Sequence, residues 1–430
     1  MKPAPAPGTT QSQLPACVEH GVWTPIPTPP PKSASGYRLK LRDVALAESK
    51  LIKRRGVMTF HAVGCSAAFG QPVPGKRTAE AMTAQINRPR VFGGTTNAVP
   101  ASFLYHLGDI VYKADDKTNV SGNDQASMFN QQFFAQYSGY ERKIFAIAGN
   151  HDSKSSNHPG KSAIEHFVLN FCAAKPATSP DNATDTRKPM IQPYPYWVLE
   201  TPVARIVGLH TNDINGGQLD DPMSDEEQQY QWLLHELERI KKKGDLKALI
   251  IALHYPPFSG TSSFKERGDP NLGPTPRPSV PLRPLGVILH EAFRETGLYP
   301  DIVISAHAHL YQRLTYSAKS GRRIPYLIAG SGGHGPVEKM FKLCSDRSGR
   351  SRRPPFDAVF PSGLHLPKGD RVQVAAYNDT DFGFIRLTVD LGKRRLLGEF
   401  FAAFRENEAK SRPPRLVDSF RLDLKHHTLE

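Results

Sequence analysis

Short apolar runs recur along the chain, and most of them end in a polar residue or a glycine. Five runs have the length and the content of β-branched and aromatic residues that buried strands show. They are residues 57–63, 101–107, 143–148, 248–253 and 301–305. Apolar residues at helical spacing lie between them, as in residues 125–137 and 285–296. Strands that alternate with helices in this way predict an α/β fold with a mostly parallel sheet.

The same patterns predict the remaining elements. Residues 38–55 indicate a basic helix that ends at Gly56, and residues 162–172 indicate another helix. A capping-box sequence at Ser224 marks the start of a helix that runs to about Lys243. Further strands are expected at residues 196–200, 203–209, 312–317, 326–329, 382–390 and 396–401.

The chain divides into an arm and a long remainder. Residues 1–36 are rich in Pro, Thr, Ser and Ala, a composition typical of an extended, poorly ordered arm. We expect residues 37–430 to form a single domain, since a chain of this length can bury a large core. Three segments within it, 153–190, 259–284 and 335–380, predict variable loops that wall a pocket.

Composition narrows the class of protein. Hydrophobic residues make up 39% of the chain, which fits a globular protein, and no apolar run has the length of a membrane span. The first residues lack an apolar signal segment, so we expect a cytoplasmic protein, with secretion of a processed form as the open alternative. The four cysteines (Cys17, Cys65, Cys172 and Cys344) are widely spaced, which disfavours a disulfide framework and favours a reducing compartment.

The chain carries a formal net charge of +14, which favours anionic partners such as phosphorylated substrates. Nucleic acid is an alternative anionic partner. No helix-turn-helix, zinc-finger or RNA-binding motif accompanies the charge, so nucleic-acid binding ranks low.

Metal-binding residue types follow several of the predicted strands. The motifs are Gly64-Cys65, Gly108-Asp109-Ile110-Val111-Tyr112, Gly149-Asn150-His151-Asp152, His254 and His307-Ala308-His309. Carboxylate oxygen, amide oxygen and imidazole nitrogen suit hard or borderline metals. Because the carboxyl ends of neighbouring strands meet at one crevice, these side chains are expected to converge on a metal site.

Several of these residues have a second interpretation. Taken by itself, Asp109 would be interpreted as an ordinary turn residue and His254 as a buried histidine. The occurrence of all the motifs in one chain favours the interpretation that both are metal ligands. Tyr112 either binds a metal or packs against the sheet edge. Asp152 either orients a neighbouring ring or caps the helix that follows. His334, in a glycine-rich loop after a strand, either contacts a phosphate or belongs to a plain connection.

These motifs, in this order, resemble the signature of the calcineurin-like metallophosphoesterases, and Tyr112 makes the chain most similar to the purple acid phosphatase branch. The resemblance extends from residue 57 to residue 310, and residues 381–387 resemble the closing strands of the family. It implies a four-layer α/β/β/α fold, in which two mixed sheets pack face to face between helices.

The resemblance also implies a pair of metal ions (Fe, Zn or Mn) that share Asp109 as a bridging ligand. The other implied ligands are Asn150, His254 and His307 on one metal, and Tyr112 and His309 on the second. Hydroxide held between the metals would attack phosphorus, and His151 would contact the phosphate and protonate the leaving group as a general acid.

The first motif departs from the family pattern, because Cys65 stands where an aspartate is expected and Ala67 where a histidine or glycine is expected. Three interpretations of a functional kind remain open: Cys65 is a thiolate ligand, His61 reaches the site instead, or fewer protein groups hold the metal. A fourth is that Cys65 is a small buried filler, as free cysteines usually are. Ala306 replaces the glycine of the last motif, a smaller departure.

The leading hypothesis is therefore a metal-dependent phosphoric ester hydrolase, either a phosphatase or a phosphodiesterase, that acts on a phosphorylated small molecule or protein. The alternative is a catalytically degraded member of the family that binds a phosphorylated ligand or a protein partner without turnover. The missing aspartate of the first motif motivates this alternative.

Overall fold

A computed structural model of the chain describes fourteen stretches of the sequence. They are residues 36–67, 74–87, 99–112, 128–152, 164–173, 178–179, 181–182, 191–211, 226–260, 285–340, 353–358, 366–405, 408 and 413–430. The predicted arm, apart from residue 36, lies outside them, as do Ser224 and most of the three predicted variable loops. Within the described residues no helix has the length and apolarity needed to cross a membrane.

Two mixed β-sheets form the centre of the fold. The larger sheet has nine strands in the order β1-β5-β6-β7-β8-β10-β9-β12-β11. Its strands are β1 (Arg38–Lys40), β5 (Trp197–Glu200), β6 (Ala204–Gly208), β7 (Ala248–Ala252), β8 (Ile302–Ser305), β9 (Tyr311–Ser317), β10 (Arg323–Ala329), β11 (Phe356–Asp357) and β12 (Arg371–Asn378). Strands β6, β7, β8 and β10 are parallel neighbours, so their carboxyl ends lie along one edge.

The smaller sheet has six strands in the order β15-β14-β13-β2-β3-β4. Its strands are β2 (Val57–Val63), β3 (Phe103–His106), β4 (Lys143–Ala146), β13 (Asp381–Asp390), β14 (Arg395–Arg405) and β15 (Arg415–Asp423). Strands β2, β3 and β4 are parallel, and the other three pair antiparallel. The carboxyl ends of β2, β3 and β4 therefore lie side by side, and the loops that follow these strands begin along one edge of the smaller sheet.

The sheets pack face to face through large apolar side chains. The Tyr311 ring on β9 stacks on the Phe400 ring on β14 with their centroids 4.1 Å apart, and Trp197 on β5 packs against Phe145 on β4 at 5.7 Å. One buried cluster contains side chains from both inner faces. Burial of this apolar surface is the main force that holds the two sheets together.

Most of the helices cover the outer faces of the sheets, and the first two pack against the cluster that lies between the sheets. They are α1 (Leu41–Val44), α2 (Leu46–Arg55), α3 (Pro74–Asn87), α4 (Glu165–Phe171), α5 (Glu226–Lys243) and α6 (Leu285–Thr296), with a π-helix at Asn130–Phe134. Helices α5 and α6 contribute Leu237 and Leu289 to the same buried cluster as Ile251 of the larger sheet. The prediction of two mixed sheets flanked by helices is confirmed.

The structure corrects several predicted elements. The helix expected over residues 38–55 begins with strand β1, and Ala45, at φ −144° and ψ 68°, separates α1 from α2. Its predicted end at Gly56 is correct, since Gly56 caps α2 with φ 68°. The helix predicted over residues 125–137 is a π-helix at Asn130–Phe134 in the described part. Strand β12 lies inside the segment 335–380 that was predicted to be a loop.

Three further elements were not predicted: helix α3 and strands β11 and β15. The two cysteines in the described residues, Cys65 and Cys172, are free and buried, in accord with the prediction of no disulfide framework. Cys17 and Cys344 lie outside the described residues.

Candidate metal centre

The predicted motifs lie together at the edge where the parallel strands of both sheets end. Cys65 follows β2, Asp109 follows β3, and Asn150 follows β4 in the smaller sheet; His254 and His307 follow β7 and β8 in the larger one. Backbone hydrogen bonds join these loops across the two sheets, for example from the Gly64 N–H to the Ala329 carbonyl (2.9 Å). The sheet packing therefore brings together residues that are far apart in sequence.

Asp109 is the hub of the cluster and is 1% exposed. Its Oδ2 atom lies 2.8 Å from the Tyr112 hydroxyl, 3.3 Å from His254 Nε2 and 3.7 Å from Cys65 Sγ. Its Oδ1 atom accepts a hydrogen bond from the His151 backbone N–H (3.0 Å). The carboxylate thus reaches groups on both sides of the cluster through one oxygen atom.

Asn150 joins the two histidines that end the strands of the larger sheet. Its Oδ1 atom lies 3.1 Å from His254 Nε2 and 3.2 Å from His307 Nδ1. His254 is fully buried, and its Nδ1 atom donates to the Leu107 carbonyl at 2.7 Å, which fixes the ring with Nε2 toward Asp109 and Asn150. The oxygen and nitrogen atoms of Asp109, His254 and His307 lie within 4.8 Å of one another, which is close enough to hold one ion.

Tyr112 and His309 lie on the other side of Asp109. The Tyr112 hydroxyl is 3.3 Å from His309 Nε2, and the ligand atoms of Cys65, Asp109 and His309 form a second group within 4.8 Å. Asp109 belongs to both groups. The structure thus brings all seven predicted metal ligands together in one cluster, and Asp109 lies between the two groups.

His151 and His334 flank the Tyr112 ring. The His151 ring lies with its centroid 4.2 Å from that of Tyr112, and the His334 ring stacks on Tyr112 at 3.3 Å with an angle of 4° between the planes. The His334 backbone N–H donates to the Cys65 carbonyl (2.9 Å), and its ring Nδ1 lies 3.1 Å from the Ala67 carbonyl oxygen. Both residues are partly exposed, so they form the accessible rim of the cluster.

His61 does not reach the cluster, so the alternative in which it replaces the missing aspartate is wrong. Its ring nitrogens lie 3.0 Å from the Tyr140 hydroxyl and 2.9 Å from Gln85 Oε1, on the face of β2 that α3 covers. The physical reason is the turn after β2. Cys65 has φ 53°, which breaks the strand alternation, so Cys65 packs with the inner cluster while His61 points outward.

Asp152 binds backbone groups rather than a ring, and the segment that follows it, on which the capping prediction falls, lies outside the described residues. Its Oδ1 atom accepts hydrogen bonds from the backbone N–H groups of Ile110 (2.8 Å) and Val111 (3.0 Å), and its Oδ2 atom accepts one from Gly149 (2.7 Å). The carboxylate therefore ties the loop after β3 to the loop after β4, and so fixes Asp109 relative to Asn150.

A buried glutamine that sequence reasoning missed holds Tyr112 in place. Gln132 Oε1 accepts from the Tyr112 backbone N–H (2.8 Å), and its Nε2 donates to the Tyr112 carbonyl (2.9 Å). Gln132 belongs to the π-helix, a type of distortion that is frequent at functional sites. Gln229 makes the same pair of bonds to His210, which follows β6. No local sequence pattern signals such a bond across about twenty residues.

Three residues of the cluster adopt backbone conformations that side chains other than glycine avoid. Cys65, Asp109 and His307 have φ values of 53°, 54° and 64°. Such conformations cost of order 1–3 kcal/mol each and persist where the surroundings impose them. Cys65 and Asp109 therefore share a left-handed φ at the carboxyl ends of neighbouring strands.

The ionisable groups of the cluster shift one another's pKa values. Burial opposes ionisation of Asp109, but the imidazoles around it, His254 first, hold its pKa well below its usual value. Burial likewise opposes protonation of His254, yet the Asp109 carboxylate raises the His254 pKa. Burial, and then the charge of Asp109, raise the pKa of the Cys65 thiol and of the Tyr112 hydroxyl well above their usual values.

The donor set fits a cation. Because His254 Nδ1 carries the hydrogen that bonds to Leu107, a neutral ring presents its Nε2 lone pair to the oxygens of Asp109 and Asn150. Three acceptor atoms that face one another repel unless a proton or a metal ion lies between them. Imidazole, carboxylate, amide and phenol oxygen are ligands that iron, zinc and manganese accept.

Comparison with protein families gives a match that includes most of these motifs. The family described as calcineurin-like phosphoesterase matches residues 80–311, more than half of the chain, and that range holds every motif except Cys65. Comparison with curated proteins found no significant match.

Two solved structures are similar at 10% identity. The first is described as "GAP50 the anchor in the inner membrane complex of Plasmodium" and has a TM-score of 0.47, with 84% of this chain and 90% of that chain covered. The second is a phosphopantetheinyl hydrolase from Mycobacterium tuberculosis with a TM-score of 0.29, with 73% of this chain and 99% of that chain covered. Scores of this size carry no functional argument. The family match covers residues 80–311, more than half of the chain, and this chain therefore belongs to the calcineurin-like phosphoesterase family.

Proposed function

We propose that the chain is a metal-dependent phosphoric ester hydrolase with a two-metal centre built on Asp109. Members of its family generally hydrolyse phosphoesters with bound metal ions. The observation that carries the proposal is the shared carboxylate: Asp109 Oδ2 lies within 3.7 Å of Tyr112, His254 and Cys65, which belong to two different ligand groups.

The residues of the cluster divide into two ligand sets. Asn150, His254 and His307 would hold one metal, Tyr112 and His309 the other, and Asp109 would contact both. When bound, such metals supply Lewis acidity, which lowers the pKa of water and offsets charge on phosphoryl oxygens. The ties made by Asp152 and Gln132 would keep the two sets at a fixed separation before any ligand binds.

His151 is proposed as the general acid. Its backbone N–H is fixed by Asp109 Oδ1, while its ring lies against Tyr112 on the partly exposed side of the cluster. The ring can therefore meet a phosphate oxygen while the main chain stays in place. Imidazole is the side chain best suited to proton transfer near neutral pH, so the ring can give a proton to a leaving alkoxide. His334, stacked on the other side of Tyr112, is proposed to contact the substrate phosphate.

The proposal places the chain nearest to the purple acid phosphatase branch, with Tyr112 as the phenolate ligand of an iron ion. Cys65, 3.7 Å from Asp109 Oδ2, would supply a thiolate to the same ion. A thiolate ligand favours zinc or iron over magnesium. Reconstitution with ferric iron should give a phenolate-to-iron absorption band that Tyr112→Phe removes, while any absorption from a Cys65 thiolate stays; an unchanged spectrum in that variant would remove Tyr112 from the ligand set.

The experiment that tests the activity compares His151→Ala with the unchanged protein on a phosphomonoester and a phosphodiester, such as p-nitrophenyl phosphate and its bis ester. General-acid catalysis contributes roughly 10²–10⁴-fold. We expect turnover to fall by about that factor while the metal content stays the same. Full turnover in His151→Ala would refute the assigned role, and the ratio of the two rates in the unchanged protein separates a phosphatase from a phosphodiesterase.

A second candidate function is a family member that binds a phosphorylated ligand or protein partner without turnover. The observation that favours it is the surroundings of Cys65: the residue is fully buried, and burial and the charge of Asp109 raise the pKa of the thiol, which disfavours the thiolate that a metal would bind. Metal binding without hydrolysis of either ester would select this candidate.

The remaining proposals concern the whole chain. We propose that residues 37–430 form one domain around the two packed sheets, with residues 1–36 as an extended arm. We also propose a cytoplasmic protein whose substrate is a phosphorylated small molecule or protein, and nucleic acid ranks low as a partner because the proposed site is a buried metal cluster.

A further inference from the structure

A second cavity lies away from the metal centre, on the half-exposed face of the antiparallel end of the larger sheet. It has a volume of about 750 Å³ and is lined by residues of β9, β10 and β12, the turn between β9 and β10, and the chain segment at Thr428. None of its lining residues belongs to the metal centre. Sites for small molecules commonly have volumes of about 300–1,000 Å³, so this cavity has room for a ligand.

Sheet register builds a row of cations along the cavity floor. Ser317 on β9 pairs with Arg323 on β10 and, on its other side, with Arg371 on β12. Directly opposed residues of antiparallel strands lie about 4.5–5.5 Å apart, so the two arginines stand roughly 10 Å apart across one serine. The next row along β9 places Thr315 opposite Gln373. We name this surface, formed by Arg323, Ser317, Arg371, Thr315 and Gln373, the arginine groove.

Lys319 adds a further cation to the groove, from the turn after β9. Among the described residues no carboxylate lines the cavity, and none lies within ion-pair distance of Lys319, Arg323 or Arg371. The Arg371 guanidinium donates one bond to Gln373 Oε1 (2.7 Å), and Arg323 donates to the Gly321 carbonyl (3.0 Å). Each guanidinium has five N–H donors, so both keep donors for a ligand.

The nearby carboxylates are already engaged by other groups. Asp418 accepts from Arg313 at 2.8 and 3.0 Å, which neutralises the one other arginine of the lining. Asp370 accepts from the Lys319 backbone N–H at 2.8 Å and from the Tyr316 hydroxyl. Asp357 accepts from Gln373 Nε2 (3.1 Å). Arg323, Arg371 and Lys319 therefore form no ion pair with a described carboxylate, and three cations line one side of the cavity.

We propose that the arginine groove is a binding site for a small anion with several phosphate groups, separate from the metal centre. Guanidinium groups match phosphate oxygens with paired hydrogen bonds, and the hydroxyls of Ser317 and Thr315 add donors between them. The described part of the lining contains no aromatic ring on which a base could stack, so the anionic groups of the ligand carry the recognition.

Inorganic tripolyphosphate is the probe, because it offers the charge without any other group. The test variant is Arg323→Gln/Arg371→Gln, and the matched control is Arg54→Gln/Arg55→Gln, which removes two exposed arginines at the end of α2. Titration calorimetry of the metal-loaded proteins should show binding about tenfold or more weaker in the groove variant and unchanged in the control. Any tripolyphosphate that binds at the metal centre contributes equally to all three proteins.

A second measurement locates the bound anion. Tripolyphosphate should protect Lys319 from acetylation, measured by mass spectrometry, and should leave the exposed Lys50 of α2 unprotected. Equal weakening in both arginine variants, or equal labelling of Lys319 with and without the probe, would overturn the proposal. Protection of Lys319 by duplex DNA at concentrations below those of tripolyphosphate would also overturn it, in favour of a macromolecular partner.

Discussion

Replacing Cys65 by the aspartate that the family pattern expects tests whether this position belongs to a metal site. Cys65→Asp would place a second carboxylate beside Asp109, whose Oδ2 atom is 3.7 Å from the present sulfur. Two like charges about 4 Å apart repel by about 4 kcal/mol at an effective dielectric constant near ~20. The backbone at this position, with φ 53°, suits aspartate better than cysteine, so backbone strain does not add to the cost.

The repulsion translates into a measurable shift of the melting temperature. At about 2.1 cal/mol/K per residue, the 430 residues give an unfolding entropy of about 0.9 kcal/mol/K, so about 4 kcal/mol lowers the Tm by roughly 4–5 °C. Repulsion from Asp109 raises the folded-state pKa of the new carboxyl relative to the same carboxyl without that neighbour. The deficit is therefore absent at low pH and grows as the pH rises through the folded-state pKa.

The assay is thermal unfolding of metal-free Cys65→Asp and Cys65→Ser, each repeated with saturating zinc, iron or manganese. Without metal the aspartate variant should melt below the serine variant, and with metal the order should reverse, since a cation between two carboxylates turns repulsion into attraction. Equal melting temperatures of the two variants without metal, or no reversal with metal, would refute the account of Cys65.

Two further variants test the frame around the site. Gly149→Ala places a methyl group where it overlaps the backbone nitrogen and Oδ1 of Asp109, so metal content and activity should both fall; Gly139→Ala, which meets nothing within 4 Å, should leave both unchanged. Arg386→Met leaves the buried Glu399 carboxylate without its paired bonds (2.8 and 3.1 Å) and should cost about 3–5 kcal/mol in urea unfolding, most of which Arg386→Met/Glu399→Leu should restore. Unchanged metal content and activity in Gly149→Ala would contradict the first expectation. A free energy of unfolding as low in Arg386→Met/Glu399→Leu as in Arg386→Met would contradict the second.

The strand-end motifs were the part of the site that sequence could predict. Asp109, Asn150 and His254 each follow a run of apolar residues, and the carboxyl ends of parallel strands converge in this fold. Their companions act through non-local bonds. Asp152 and Gln132 bind backbone groups about twenty or more residues away, and no residue pattern reports such partners.

The fold was predictable where periodicity was strong and not where elements were short or irregular. Strand β1 has three residues, and the break at Ala45 between α1 and α2 has no glycine or proline to mark it. Strand β12 does alternate, with Val372 and Val374 buried, but a register shift before Ala376 interrupts the alternation. Helix α3 buries Ala79, Met82 and Ile86 at helical spacing, a pattern that the sequence analysis missed.

Elemental analysis of the purified protein after reconstitution with iron, zinc and manganese in competition tests the central claim most directly. We expect two metal ions per chain, and loss of both in Asp109→Asn, because the Asp109 carboxylate belongs to both ligand groups. One metal ion or none in the unchanged chain, or two retained in Asp109→Asn, would contradict a two-metal centre built on Asp109.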